Sequence, residues 1–229
     1  MTIPSFLDFL FPSHCVQCAA PLSGGSAICA ACLDAIPLHG TLFCGTCRSR
    51  LPEPKKHCHK DTPYLLAAAT DYENQTVREL IHALKFKFIR TAASPLGAIT
   101  ARYLEHLDIP LDGYSLVPIP LSKKRMRERG FNQSELIARG VADRFHLPLD
   151  TTSIIRTRHT LPQSEREDWN ERKNNVAGCF LIVDNGAIAG KKILLVDDVT
   201  TSGATLREAA KSLKRAGART VLALVTAKT

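Results

Sequence analysis

The chain has 229 residues, 45% of them hydrophobic and 23% charged, with a formal net charge of +8, enough for one packed domain and a small companion. Its apolar runs fall short of a membrane span, and the N-terminal IPSFLDFLFP is broken by Pro4, Asp8 and Pro12 with no basic residue before it. These features argue against membrane insertion and against a signal peptide, and predict a short amphipathic helix docked on the body of a cytoplasmic protein.

The chain holds eight cysteines, which in a reducing compartment point to metal ligation before disulfides. Cys15, Cys18, Cys29 and Cys32 form C-x2-C-x10-C-x2-C, and Cys44, Cys47 and Cys58 repeat that spacing 29 residues later. Two such knuckles can set four thiolates around Zn2+, whose binding energy stabilises a segment too small to build its own core. The repeat predicts a double zinc ribbon over residues 1–62 and a second domain over 63–229, because near residue 62 the composition shifts to alternating apolar patterns. The same shift carries Cys32 onto Asp61. The second site is therefore completed by Asp61 through oxygen, completed by His57 or His59 through nitrogen, or lacks metal. Pairing of knuckles from different repeats satisfies the spacing equally. Cys179 stands alone in AGCF and reads as a small buried apolar residue.

Downstream, strand and helix patterns alternate, which predicts an α/β fold with a mostly parallel sheet flanked by helices on both faces. A strand is expected over 65–69, then a helix burying Val77, Leu80, Ile81 and Leu84. A second helix opens at Ser94–Pro95 and buries Leu96, Ile99, Tyr103 and Leu104. A strand over 116–119 is followed by a loop crowded with Lys123, Lys124, Arg125, Arg127 and Arg129. A helix from Ser134 turns Leu136, Ile137, Val141 and Phe145 inward, and Ile154 and Ile155 suit another strand. The polar stretch RHTLPQSEREDWNERKNN lacks apolar periodicity and reads as a long loop, in which Trp169 suits packing or stacking on a base. The last unit is a strand over 193–196, a helix over about 205–216 capped by Gly217, and a strand over 221–225.

ILLVDDVTTSGATL, residues 193–206, carries the chemistry. In a parallel sheet the carboxyl ends of strands face the ligand crevice, so Asp197 and Asp198 line that edge. Thr200, Thr201, Ser202 and Thr205 offer hydroxyls, Gly203 and Ala204 leave room for close backbone approach, and the following helix presents free amides. Such a turn cradles a phosphate. The carboxylates would repel a phosphate set directly on them, but they accept hydrogen bonds from vicinal sugar hydroxyls or bind Mg2+ held by that sugar. A sugar phosphate satisfies both halves. Neither the Walker A lysine pattern nor G-x-G-x-x-G is present, which disfavours the usual nucleoside-triphosphate and dinucleotide cradles.

ILLVDDVTTSGAT resembles the phosphoribosyl-diphosphate signature of type I phosphoribosyltransferases. The cysteine ribbons, VPIPLSKKRMRERGFNQSELIA, RTRHTLPQSEREDWNERKNNVAGCF and the signature together resemble the ComF family of competence-associated, amidophosphoribosyltransferase-like proteins. Asp61 departs from the family pattern, which has a fourth cysteine there. The resemblance implies that Asp197 and Asp198 hold the ribose hydroxyls with Mg2+, that the turn up to Thr205 holds the 5-phosphate, and that Lys123, Arg125 and Arg129 meet pyrophosphate. It makes the polar stretch a lid bringing Arg158, Gln163 and Arg172 to the reacting centre and excluding water from an oxocarbenium-like sugar.

The implied reaction is displacement of pyrophosphate from C1 of phosphoribosyl diphosphate by an acceptor. Purine-salvage members carry an aspartate where Thr201 stands, which disfavours hypoxanthine or guanine. Two rival readings accompany it. In one, the protein is a non-catalytic sensor of phosphoribosyl diphosphate or a nucleotide, or binds single-stranded DNA in competence. In the other, the ribbons dock DNA-uptake proteins. A polyanionic sugar and a nucleic acid call for the same positive field, so net charge does not separate them.

Overall fold

A computed structural model describes residues 13–22, 26–51, 58–59, 61–157 and 178–229. In chain order the short β1 (Ser13–His14) pairs antiparallel with β2 (Pro21–Leu22), and α1 (Ala30–Asp34) follows, capped by the Cys29 side chain accepting from Cys32 N. Then come β3 (Phe43–Cys44), β4 (Leu65–Asp71), α2 (Gln75–Phe86) and α3 (Ala93–His106). Next are β5 (Tyr114–Pro118), α4 (Lys123–Arg129), α5 (Gln133–Phe145), β6 (Ile154–Arg156) and β7 (Phe180–Ile182). The last unit is β8 (Lys192–Thr200), α6 (Ala204–Arg215) and β9 (Thr220–Lys228).

The main sheet has the order β3-β4-β9-β8-β5, with β4, β9, β8 and β5 mutually parallel and β3 antiparallel on the edge. Strands buried on both faces need aliphatics at successive positions rather than alternation, and ILLV of β8 supplies them. Leu194 and Val196 pack with Leu80 of α2, Ile99 of α3 and Ile137 of α5. Ile193 and Leu195 pack on the other face with Leu206 and Leu213 of α6. Each such side chain, fully withdrawn from water, contributes about 2 kcal/mol.

The expected helical stripes are buried: Val77, Leu80, Ile81 and Leu84 on α2, and Leu96, Ile99, Tyr103 and Leu104 on α3. On α5, Ile137 and Val141 are buried while Leu136 and Phe145 are half-buried against the same core.

Three elements differ from expectation. β8 runs to Thr200 instead of stopping at residue 196, because Asp197, Val199 and Thr200 keep their pairing with Val225, Ala227 and Lys228 of β9. The basic segment after β5 is a helix and not a loop: Ser122 caps α4 by accepting from Arg125 N, and Gly130 ends it at φ 74°, where an L side chain is disfavoured. β6 stays outside the main sheet and pairs antiparallel with β7.

The compositional change near residue 62 falls between two strands of one sheet. Cys44 of β3 lies opposite Leu65 and Phe43 opposite Leu66, and Cys15, Ile28, Leu42 and Leu51 belong to the same buried cluster as Leu80 and Ile137. The cysteine-rich region and the α/β body thus share a core. The N-terminal segment expected as an amphipathic helix lies outside the described residues; among those described, no helix is long and apolar enough to cross a membrane.

Candidate functional site

Asp197 and Asp198 sit near the carboxyl end of β8 with 9% and 2% of their surface exposed. Two adjacent buried carboxylates need compensation. The Ser134 hydroxyl, in the first turn of α5, donates to Asp197 Oδ1 at 2.7 Å, and Asp198 N donates to the same oxygen at 2.9 Å. Val199 N donates to Asp198 Oδ1 at 2.8 Å. Lys85 Nζ, from the last turn of α2, lies 2.7 Å from Asp198 Oδ2 as a charge contact without hydrogen-bond alignment. Burial, reinforced by the charge on Asp198, pushes the Asp197 carboxyl up to about 7.

Thr200 is the last residue of β8, and Thr201, Ser202 and Gly203 form the turn into α6, whose first residues are Ala204 and Thr205. Gly203 is the N-cap at φ 73° and supplies no side-chain cap; Ser202 Oγ accepts from Ala204 N at a long 3.4 Å. The first turn of α6 therefore points amides outward without a strong cap, the arrangement that attracts an anion. A Cβ on Gly203 would stand 2.9 Å from Tyr64 Oη. Tyr64 is itself buried, which pushes its phenol up to about 12 and keeps it neutral.

The turn has a second wall, from the cysteine-rich region. The Arg48 guanidinium donates to the Thr201 carbonyl, and Arg207 of α6 donates to the carbonyls of Gly45 and Thr46 at 3.4 and 3.3 Å.

Three arginines gather near the acidic pair. Arg129, half-buried at the end of α4, donates to Gln133 Oε1. Burial holds its guanidinium below the ordinary range, opposed by attraction to Asp198. Arg156 of β6 is buried over the Phe180 ring at 5.5 Å, and burial lowers it too; it feels Cys179, Arg125 and Asp197. Arg125 is half-buried, whereas Lys123 is exposed on the first turn of α4. Cys179 is fully buried, and burial raises its thiol.

The cysteines form two clusters within repeats, not across them. Cys15, Cys18, Cys29 and Cys32 make one; Cys44, Cys47, Cys58 and His59 make the other; in each, all donor atoms lie within 4.8 Å of one another. Zn–S bonds of about 2.3 Å give a tetrahedron with edges of about 3.8 Å. Cys18 and Cys29 sulfurs are 3.8 Å apart, Cys47 and Cys58 sulfurs 3.4 Å, and His59 Nδ1 is 3.5 Å from Cys44 Sγ and 3.3 Å from Cys58 Sγ. Both donor sets fit structural zinc. Of the three candidates for the fourth place, Asp61, His57 and His59, the described residues put His59 in the cluster, because it directly follows Cys58 and its imidazole folds back onto the sulfurs. His57 lies outside the described residues.

Asp197, Asp198, the 200–205 turn, Arg125 and Arg129 therefore come together at one edge. Arg158, Gln163, Arg172 and Trp169 lie outside the described residues. Lys85, Ser134, Arg156, Arg48 and Tyr64 were not singled out from sequence. Their side chains reach the site from other elements, and no local motif marks them; only Ser134, opening a helix after a polar turn, carried a local signal, and that signal was for a cap.

Two family models match the chain: a double zinc ribbon domain over residues 6–61 and a phosphoribosyl transferase domain over residues 132–228. The chain is 32% identical over 221 residues to the DNA utilization protein YhgH of Escherichia coli strain K12, covering 92% of this chain and 94% of that protein. It is 26% identical over 218 residues to competence protein F of Haemophilus influenzae, covering 90% and 93%. It is 38% identical over 146 residues to competence protein ComFC of Bacillus subtilis, covering 63% of this chain and 56% of that one. The fold is that of a type I phosphoribosyltransferase, a mostly parallel sheet with helices on both faces, joined to an N-terminal zinc-ribbon domain.

Proposed function

The chain belongs to the ComF family, a double zinc ribbon ahead of a phosphoribosyltransferase-type domain, and from that premise we propose that it binds phosphoribosyl diphosphate with Mg2+ at the carboxyl end of β8. The observation that carries this reading is the buried Asp197–Asp198 pair running directly into a turn whose helix has no strong side-chain cap. The ribose hydroxyls donate to the two carboxylates, and the 5-phosphate accepts from the amides and hydroxyls of Thr201, Ser202 and Thr205. Thr200, Gly203 and Ala204 shape the cradle.

Pyrophosphate meets Arg125 and Arg129, and we add Arg156, whose buried guanidinium faces the same edge. Lys123 contributes charge at the rim. Arg158, Gln163 and Arg172 follow β6 closely in sequence and act from the lid. Asp197 and Asp198, together with the sugar hydroxyls, would hold Mg2+, which when bound would supply charge neutralisation to pyrophosphate; the protein's own share is to orient the sugar and stabilise the parting charges. The acceptor is a nucleophile still to be identified, and the setting is cytoplasmic DNA utilisation or competence, as the relatives' names suggest.

Calorimetry with phosphoribosyl diphosphate, with and without Mg2+, tests the binding. The expected result is Mg2+-dependent binding that Asp197→Asn with Asp198→Asn abolishes. Absence of binding by the parent protein overturns the reading. A pyrophosphate-release screen over acceptors then separates enzyme from sensor, since binding without turnover favours a sensor.

A second reading has its own support. Phe86 and Phe88 are 64% and 51% exposed in KFKFIR, with Lys87 between them and Arg90 just after. Exposed aromatics among cations suit stacking of single-stranded DNA bases with phosphate contacts. Binding of a labelled oligonucleotide that weakens with salt and is lost in Phe86→Ala with Phe88→Ala is expected under this reading.

A further inference from the structure

The second cysteine cluster is built onto the 201–206 turn through Arg48 and the carbonyls of Gly45 and Thr46. β3 enters the main sheet beside β4, which sets the knuckle 44–49 against the segment leading into β4. The approach is tight: a Cβ on Gly45 would stand 2.3 Å from the Tyr64 carbonyl oxygen. Tyr64 links the two sides, with its carbonyl against Gly45 and its hydroxyl against Gly203. Arg207 closes the same contact from α6 through the Gly45 and Thr46 carbonyls.

Arg48 is the most informative residue. Its backbone is left-handed at φ 61°, and its amide donates to Cys44 O at 2.8 Å. The position 29 residues earlier is Ala19, with φ 56° and its amide on Cys15 O at 3.0 Å. The knuckle therefore imposes this conformation in both repeats, and a methyl group is all that it requires. The long cationic side chain in the second repeat does something the knuckle does not ask for. It reaches out of the ribbon to the Thr201 carbonyl.

We propose that the second knuckle is a structural wall of the phosphate-binding turn, that Arg48 is its positioning residue, and that metal held by Cys44, Cys47, Cys58 and His59 thereby sets the geometry of residues 201–206. The effect on phosphosugar affinity rests on the function proposed above; the effect on the turn does not. The metal fixes the Cys44–Cys47 loop, the loop fixes the direction of Arg48, and Arg48 holds the Thr201 carbonyl away from the space where an anion binds. Carbonyl oxygens repel phosphate, so a turn free to rotate this peptide loses part of its cradle.

The test uses the full zinc-loaded chain. Arg48→Ala reproduces the residue that the first repeat carries, so it is expected to fold and to retain its zinc. Amide hydrogen exchange at residues 207–210, the first amides of α6 bonded back to the turn and the helix start, is expected to accelerate by roughly tenfold as the turn loosens, the loss of about one charge-assisted hydrogen bond, while exchange in β8 and β9 stays unchanged. His59→Ala, which opens the second metal site, is expected to give the same acceleration, and the two changes together no more than either alone. Arg48→Lys is expected to restore part of the protection. Calorimetry with ribose 5-phosphate is expected to show roughly tenfold weaker binding in Arg48→Ala. Unchanged exchange at 207–210 in Arg48→Ala overturns the proposal. If the parent protein binds no phosphosugar, the proposed function fails, and the exchange measurement alone still decides the coupling.

Discussion

Lys85 and Asp198 meet at 2.7 Å although they lie on different layers, one in the last turn of α2 and the other on the central strand β8. The contact places a cation directly on one of the two buried carboxylates. Removing one member of such a pair leaves the other uncompensated. Lys85→Met is expected to lower the unfolding free energy by about 3 kcal/mol, and Lys85→Arg to restore much of it. Denaturant titration of the three proteins checks this.

Asp197 sets the pH response of the same pair. Burial, with the charge on Asp198, pushes it up to about 7 from the ordinary 3.8. Between these values the folded state holds the proton more tightly than the unfolded chain. Its contribution to stability is therefore fully present below about pH 4 and is lost as the pH rises through about 7. Asp197→Asn stays neutral, so it is expected to exceed the parent in stability by about 1–3 kcal/mol above pH 7 and to approach it only near pH 4. Thermal unfolding over that range reads the crossover. Phosphosugar affinity is expected to run the opposite way and rise towards pH 8, because sugar hydroxyls need ionised acceptors.

The two metal clusters make a prediction about stoichiometry. The parent protein is expected to hold about two zinc ions per chain, His59→Ala about one, and Asp61→Asn about two, since His59 and not Asp61 completes the second donor set. Elemental analysis of the purified proteins decides it, and a loss of zinc in Asp61→Asn would contradict the assignment.

Gly140 lies within α5, the helix that presents Ser134 to Asp197. A Cβ there would meet Gly97 Cα of α3 at 3.6 Å, an ordinary contact. Alanine gains about 0.8–1 kcal/mol over glycine in a helix interior, and no clash opposes it. Gly140→Ala is expected to raise stability by about 0.5–1 kcal/mol. The midpoint of thermal unfolding should rise accordingly, and a fall would show that the α3–α5 contact needs its bare backbone.

Much of this architecture was legible from local pattern. The spacing of Leu80 and Leu84, or of Ile99 and Tyr103, marks a helix face because burial has the period of the helix. The run ILLV followed by paired aspartates marks a central strand end because few other settings need that order. Relations between distant segments were not legible. Nothing near Lys85 announces Asp198, and Arg48 reads as one basic residue among many until the fold brings it to Thr201. The expected end of β8 at residue 196 falls short because adjacent aspartates are disfavoured in strands, while pairing of Asp197, Val199 and Thr200 with β9 carries β8 on to Thr200. The α4 helix is hidden in the sequence because a basic run without apolar periodicity looks like a solvated loop. His59 is one of three candidates that spacing leaves open, and only the fold brings its imidazole onto the Cys44 and Cys58 sulfurs.

β3 also closes one border of the sheet. Without its two residues, β4 would present a row of unsatisfied amides and carbonyls to solvent, the surface on which strands of other molecules add. Because β3 ends in Cys44, a zinc ligand candidate, keeping the sheet's flank sealed depends on metal supply. Removal of the metal is therefore expected to uncover the start of β4 at Leu65 and Leu66 and to promote self-association, which light scattering of the zinc-depleted chain reads.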